Sequence, residues 1–272
     1  MGILNITPDS FSDGGIHTQA DAVLKTITRW LSEGVRIVDL GAESTRPSAI
    51  AISPQDEWRR LAPILEALQD SPLVKNEQFI LSLDTRNPET AALAVQRGIH
   101  WLNDVSGFDN PQLTRIAADA GTTAIFMHSL SVPARSDVVI SDNQQSIDAV
   151  DAILKWAEKK IQNLMNQGIP REKLIFDPGL GFGKTQAQNW DIIRRFRKFH
   201  ELGVKTLVGH SRKSFLAALG SQNASDRDPE TAAVSIDLCA KGVDLLRVHD
   251  PVLNARALRA WSLSNGVVQC ED

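Results

Sequence analysis

The chain has 272 residues, 42% of them hydrophobic and 23% charged, with a net charge of −4. That is ordinary globular composition, enough for one large domain or two small ones. The scattered basic residues argue against extended nucleic-acid binding. The two distant cysteines, Cys239 and Cys270, form neither a zinc site nor a disulfide framework, and no apolar run approaches the roughly 18 to 20 residues of a membrane span.

Along the chain, short apolar runs alternate with helical patterns. "GILNI" (2–6) is followed by apolar residues at Val23, Ile27, Trp30 and Leu31, with Gly34 as the stop. "VRIVDL" (35–40) precedes a helix start at Ser53-Pro54, and "QFILSLD" (78–84) one at Asn87-Pro88. "IHWLND" (99–104) leads to Asn110-Pro111. After "TTAIFMH" (122–128) comes a long helical segment, 144–167, that stops at Gly168. "KLIFD" (173–177), "KTLVGHS" (205–211) and "DLLRVH" (244–249) follow, with helix starts at Asp228-Pro229 and Asp250-Pro251. In each pair the first residue can accept backbone N–H bonds, and the proline lacks only a donor that had no partner anyway. Cys239, in an apolar helical stretch, reads as core. A reducing cytoplasm fits, and the N-terminus carries no signal-peptide pattern.

Apolar runs without alternation read as parallel strands buried on both faces. Eight of them alternating with helices predict an α/β fold, a (β/α)₈ TIM barrel forming a single domain over 1–272. An open doubly wound sheet is the alternative. In the barrel the active site lies at the C-terminal strand ends. Polar residues collect there: Asn5, Asp39, Asp84, Asn103, His128, Asp177, Ser211 with Arg212 and Lys213, and Arg247 with His249. Strands often end in polar residues, so a single instance means little. Several of these, however, sit inside or against apolar runs, where a buried acid costs several kcal/mol unless paired. The acids and Asn103 suit a ligand with amino and ring N–H donors. Arg46, Lys213, Arg247 and His249 suit anions. A polar heterocycle carrying phosphate or carboxylate satisfies both groups. A substrate-bridging Mg²⁺ needs only one or two protein oxygens, and Asn5 could supply one.

"DPGLGFGKT" (177–185) resembles a phosphate-binding P-loop but fails its spacing, since Pro178 stands where the first glycine is required. Lys184 therefore reads as a solvated loop lysine. Two loops, "TPDSFSDGG" (7–15) and "AESTRPSA" (42–49), follow strand ends and should overhang the site, with Phe11 as a lid on a ligand.

Taken together, "GILNITPDSFSDGG", "GAESTRP", "LDT", "NDVSG", "DPGLGFGK", "GHSRKSFL" and "LLRVHD" resemble dihydropteroate synthase, in the family's order and from Met1 to about Asp250. The resemblance implies a TIM barrel that joins 6-hydroxymethyl-7,8-dihydropterin diphosphate to p-aminobenzoate, assisted by Mg²⁺. By motif, Asp84, Asn103, Asp177 and Lys213 would bind the pterin, with Asp39 nearby. Asn5, Arg46, Arg247 and His249 would hold the diphosphate, with Asn5 near the metal. Phe11, Thr45, Arg46, Phe182, Lys213 and Ser214 would form the p-aminobenzoate pocket, with the N-terminus of a helix beginning near Ser211 facing its carboxylate. Asn5, Arg46, Asp84, Lys213, Arg247 and His249 would carry the chemistry. A homodimer and sulfonamide sensitivity are also implied.

The chain departs from the family pattern in three places. It opens without the usual N-terminal barrel-closing hairpin, which implies trimming or a preceding folate-pathway domain. "MHSLSVPARSD" replaces the more usual sequence after strand five. His210 stands where many members differ and reads as structural. The rival enzyme, a methyltetrahydrofolate-dependent corrinoid methyltransferase, should lack the "SRKS" and "TPDSFSDGG" motifs. A non-catalytic pterin-binding barrel should lack the anion-site residues.

Overall fold

Eight strands and eight helices alternate in the structure, a computed structural model that describes residues 1–6, 16–43, 51–75, 79–132, 138–140, 148–220 and 223–267. The strands are β1 (Gly2–Asn5), β2 (Ile37–Gly41), β3 (Ile80–Asp84), β4 (Trp101–Asp104), β5 (Thr123–Met127), β6 (Leu174–Asp177), β7 (Lys205–Val208) and β8 (Leu245–Leu246). All neighbouring pairs are parallel, and the spatial order is the chain order. This is the TIM-barrel arrangement expected from sequence, with its ring of ladders left incomplete at one seam. Between β8 and β1 there is no ladder. One parallel bridge, Gly2 to Val248, carries two hydrogen bonds, Ile3 N–H to Val248 O at 2.9 Å and Val248 N–H to Met1 O at 3.0 Å. β8 pairs through only two residues before the chain turns into the mouth. Gly2 also lies under α1 (Ile16–Ser32), where a Cβ would sit 2.5 Å from the Trp30 ring.

The strand pleat sorts side chains into two apolar layers. One parity faces the helices: Leu4, Val38, Leu40, Leu83, Leu102, Phe126 and Phe176 join the main core. The other parity fills the barrel interior, where Ile125, Ile175 and Leu207 pack with Met1, Trp101 and Leu245.

The outer helices are α2 (Pro54–Gln69), α3 (Pro88–Val95), α4 (Pro111–Ala120), α5 (Ala149–Asn166), α6 (Gln186–Arg194), α7 (Asp228–Ala240) and α8 (Pro251–Ser264). Ser53, Asn110 and Asp250 cap as the sequence predicts, accepting from Asp56 N, Gln112 N and Leu253 N. Two cap assignments are corrected. The Asn87 side chain turns to Glu57 instead, donating to Oε2 at 2.8 Å. Asp228 is the first helical residue of α7 and accepts a two-pronged bond from Arg212, at 2.8 and 2.7 Å. Of the long segment expected from 144, residues 144–147 lie outside the described residues, and the helix runs from Ala149, capped by Asp148. Thr185 opens α6 with a reciprocal capping box to Gln188, so the last residue of the P-loop look-alike is a helix cap.

Candidate active site

Register builds the site from the strand ends. Asn5 pairs with Gly41, Gly41 with Asp84, and Asp84 with Asn103, which places four consecutive strand ends at one level. Asp39 and Ser82 pair one pleat below, on the same inward face. Gly41 leaves room at the upper level. A Cβ there would lie 3.6 Å from Asn5 Oδ1 and 3.7 Å from Asp84 Oδ2.

Asp39 is fully buried and three donors hold its carboxylate. Ser82 Oγ donates to Oδ1 at 2.5 Å, Asn103 Nδ2 to Oδ2 at 3.0 Å, and Arg247 Nε to Oδ2 at 2.6 Å. Arg247 arrives from just beyond β8 and donates Nη2 to Asp84 Oδ2 at 2.6 Å. Burial works against the Arg247 charge, but Asp39 and Asp84 outweigh it and hold the guanidinium above its ordinary range. Burial pushes the Asp84 carboxyl up to about 7, with Arg247 opposing and the Asp39 charge adding to the rise. Ser82 is the member of this network that the sequence reading passed over. The alternation in "ILSLD" puts it on the same face as Asp84, and that was the available signal.

Asp177 ends β6 and is buried. Its Oδ1 accepts the Gly179 N–H at 2.7 Å. Burial raises its pKa, while the Lys213 charge and that hydrogen bond pull the other way. Lys213 donates to Leu180 O and stands 4.6 Å from the centre of the Phe182 ring. Burial lowers its pKa to about 8 against the pull of Asp177. Phe182 packs with Val105, Met127 and Val132 in a small apolar cluster at the mouth. His249 lies on the rim, where Ser211 Oγ is 3.0 Å from its Nδ1 and accepts its backbone N–H at 3.2 Å.

Asn5, Asp39, Asp84, Asn103, Asp177, Phe182, Lys213, Arg247 and His249 thus occupy the C-terminal ends of the strands or the loops directly after them. Phe11, Thr45 and Arg46 lie outside the described residues. Ser214 is exposed, and the helix expected to begin near Ser211 begins at Ser214 instead, as a six-residue 3-10 helix through Leu219. His210 is buried against α7, with Nε2 3.0 Å from Thr231 O and 2.9 Å from Ser235 Oγ. Burial lowers its pKa to about 4. That environment fits the structural role expected for it.

Lys184 corrects the sequence reading outright. It is buried rather than solvated. Its Nζ donates to His128 O at 2.9 Å and to Phe182 O at 2.9 Å, and shares a hydrogen bond of 2.8 Å with His128 Nδ1. The His128 ring is neutral, its pKa lowered to about 3 by burial and by Lys184. Burial carries the Lys184 pKa well below the usual lysine range. The loop can fold this tightly because Gly179 has φ +69°, and a Cβ there would lie 2.0 Å from His128 O.

A model of a family described as pterin binding enzyme matches residues 1–249. A folate synthesis bifunctional protein of Chlamydia caviae is 38% identical over 96% of this chain, and the chain spans 59% of that relative's length. A dihydropteroate synthase of Streptococcus pyogenes is 34% identical over 93% of this chain and 91% of its own. Among solved structures, Xanthomonas albilineans dihydropteroate synthase with 4-aminobenzoic acid superposes with a TM-score of 0.86 at 34% identity, covering 99% of this chain and 93% of that one.

Proposed function

The chain belongs to the pterin-binding enzyme family and stands among its dihydropteroate synthases, and from this we propose that it condenses (7,8-dihydropterin-6-yl)methyl diphosphate with p-aminobenzoate to give 7,8-dihydropteroate and diphosphate. The observation that carries the reading is the network of Asp39, Ser82, Asn103, Arg247 and Asp84. It brings hydrogen-bond acceptors and a fixed cation into one buried cluster at the barrel mouth.

In this reading Asp84, Asn103 and Asp177 accept from the amino and ring N–H groups of the pterin, with Asp39 and Lys213 alongside. Carboxylates pair with such an edge much as they pair with a guanidinium. Arg247 and His249 face the diphosphate, and neither carboxylate takes the hydrogens on Arg247 Nη1. Phe182, Lys213 and Ser214 flank p-aminobenzoate. Phe11, Thr45 and Arg46 keep the roles that the motifs imply.

The bond between the pterin methylene and the diphosphate oxygen breaks first. The electron-rich ring stabilises the resulting cation while diphosphate leaves with its charge offset. The neutral arylamine then attacks the methylene and loses a proton. The residues therefore supply charge compensation, orientation and water exclusion, with little acid–base chemistry.

Mg²⁺ fits the rim. The space above Gly41 lies between Asn5 Oδ1 and Asp84 Oδ2, both hard oxygens. Among the described residues no group of three His, Cys, Asp or Glu side chains could hold a metal by itself. Asn5 would hold the ion together with diphosphate oxygens and water, and the ion would offset leaving-group charge. No described helix is long and apolar enough to cross a membrane, and we propose a cytoplasmic homodimer on the family's pattern.

The test is direct. The protein is mixed with the dihydropterin diphosphate, radiolabelled p-aminobenzoate and Mg²⁺, and labelled dihydropteroate is sought. Its absence overturns the reading. Methyl transfer from methyltetrahydrofolate to a corrinoid protein would establish the rival enzyme instead, and pterin binding without either product a non-catalytic barrel.

A further inference from the structure

Lys184 is a buried titratable group that the reaction above does not use. Its three hydrogen-bond partners lie on two loops, His128 after β5 and Phe182 after β6. His128 is itself held edge-on by Trp156 of α5, with ring centres 4.9 Å apart and planes at 86°. Beyond Phe182, the Lys213 ammonium stands 4.6 Å from the ring centre. A continuous line of contacts therefore runs from α5 through Trp156, His128, Lys184 and Phe182 to Lys213.

Each link has a specific cause. Gly179 lets the loop press onto His128 O. Gly183 does the same against Leu130, where a Cβ would come within 2.7 Å of that side chain. Asn189 of α6 accepts the Gly181 N–H at 2.7 Å and so fixes the middle of the loop. The Phe182 carbonyl is held by Lys184, and its ring by Met127 and Val105. With backbone and ring both fixed, the ring has little freedom to move independently of Lys184.

We propose that Lys184 and His128 are positioning residues for the arylamine half of the site. They set the Phe182 ring, and through it the Lys213 ammonium, at the spacing that a flat aromatic carboxylate requires. Neither needs to touch a substrate to do so. The inference rests on reading the Phe182–Lys213 face as the p-aminobenzoate pocket.

Steady-state kinetics with both substrates varied tests it, on the wild type, Lys184→Met, His128→Leu and His128→Asn. Methionine keeps most of the lysine volume and donates nothing. Leucine removes the Nδ1 partner, whereas the asparagine amide can take its place. In Lys184→Met and His128→Leu the KM for p-aminobenzoate should rise about tenfold, with kcat falling less than about threefold and the KM for the dihydropterin diphosphate within about twofold. His128→Asn should return the p-aminobenzoate KM to within about threefold of wild type. A merely structural role would lower the thermal midpoint and the active fraction, and hence kcat, without selectively moving that KM. An unchanged p-aminobenzoate KM in both impaired variants overturns the inference and leaves the proposed function standing. If Lys184→Met does not fold, the two His128 variants decide. A wild type that makes no dihydropteroate overturns the functional reading, and this inference with it.

Discussion

Arg247 Nη2 and Asp84 Oδ2 meet at 2.6 Å across the barrel mouth, joining the end of the last strand to the end of the third. The same guanidinium reaches Asp39 through Nε at 2.6 Å. One guanidinium thus bridges two buried acids, and neither takes the hydrogens on Nη1.

Arg247→Ala should lower turnover at least about a hundredfold, of order 2.7 kcal/mol. It removes the cation proposed to face the leaving group and strands Asp39 and Asp84 without their counter-charge. Lysine should rescue poorly, because it cannot make the two-pronged contact. Asp177→Ala should cost as much, through loss of the proposed pterin acceptor. Near-normal kcat in either alanine variant contradicts the site assignment.

Asp84 should give the protein two opposed pH dependences. Its folded pKa of about 7 lies above the ordinary 3.8, so the folded chain holds this proton after the unfolded chain has lost it. Its contribution to stability is complete below about pH 4 and is lost as pH rises through about 7. The thermal midpoint of the wild type should therefore fall relative to Asp84→Asn between about pH 5 and about pH 8. In the proposed pterin site Asp84 accepts as a carboxylate, so pterin binding should strengthen over the same interval. Parallel melting profiles for the two proteins would contradict this assignment of the proton.

Gly179→Ala should fold poorly. The added Cβ would lie 2.0 Å from a backbone oxygen, and φ is +69°. The left-handed conformation alone costs of order 1–3 kcal/mol for a non-glycine residue, and the clash adds to it. Soluble yield and a thermal melt check this. A variant with an unshifted melting midpoint would mean that the loop does not pack on His128 as described.

A sulfonamide should inhibit competitively against p-aminobenzoate and not against the dihydropterin diphosphate, because it shares the flat arylamine shape of the former. Plots of initial rate against each substrate separate the cases. Unimpaired turnover at concentrations that stop an ordinary dihydropteroate synthase would refute the expectation.

Much of the fold was legible because buried parallel strands write themselves as unbroken apolar runs. Proline after a capping residue marked helix starts, although Asn87 and Asp228 show that a side chain so placed can bond elsewhere. Asp39, Asp84, Asn103, Asp177 and Arg247 stood out as polar residues against apolar sequence. Their pairing could not be read, since Asp39 and Arg247 are 208 residues apart and meet only when the sheet curls. Ser82 was legible in principle from the pleat, whereas a serine in a strand draws no attention by itself. Lys184 was misread for a different reason. A glycine-rich loop looks solvated in sequence, and only the left-handed turn at Gly179 reveals that it folds onto His128.

The single bridge between Gly2 and Val248 has a consequence for dynamics. A sheet opens where fewest rungs must break, so the Ile3 and Val248 amides should exchange with deuterium sooner than that of Leu102 in the middle of the sheet. Arg247 and His249 flank Val248 on that least cross-linked edge. Breathing of the seam should therefore move the side chains proposed to hold the anion first, while Asp84, Asn103 and Asp177 ride on strands with fuller ladders. Diphosphate bound by Arg247 and His249 should in turn slow exchange at Ile3 and Val248, because occupancy at the mouth would stitch the open edge of the cylinder.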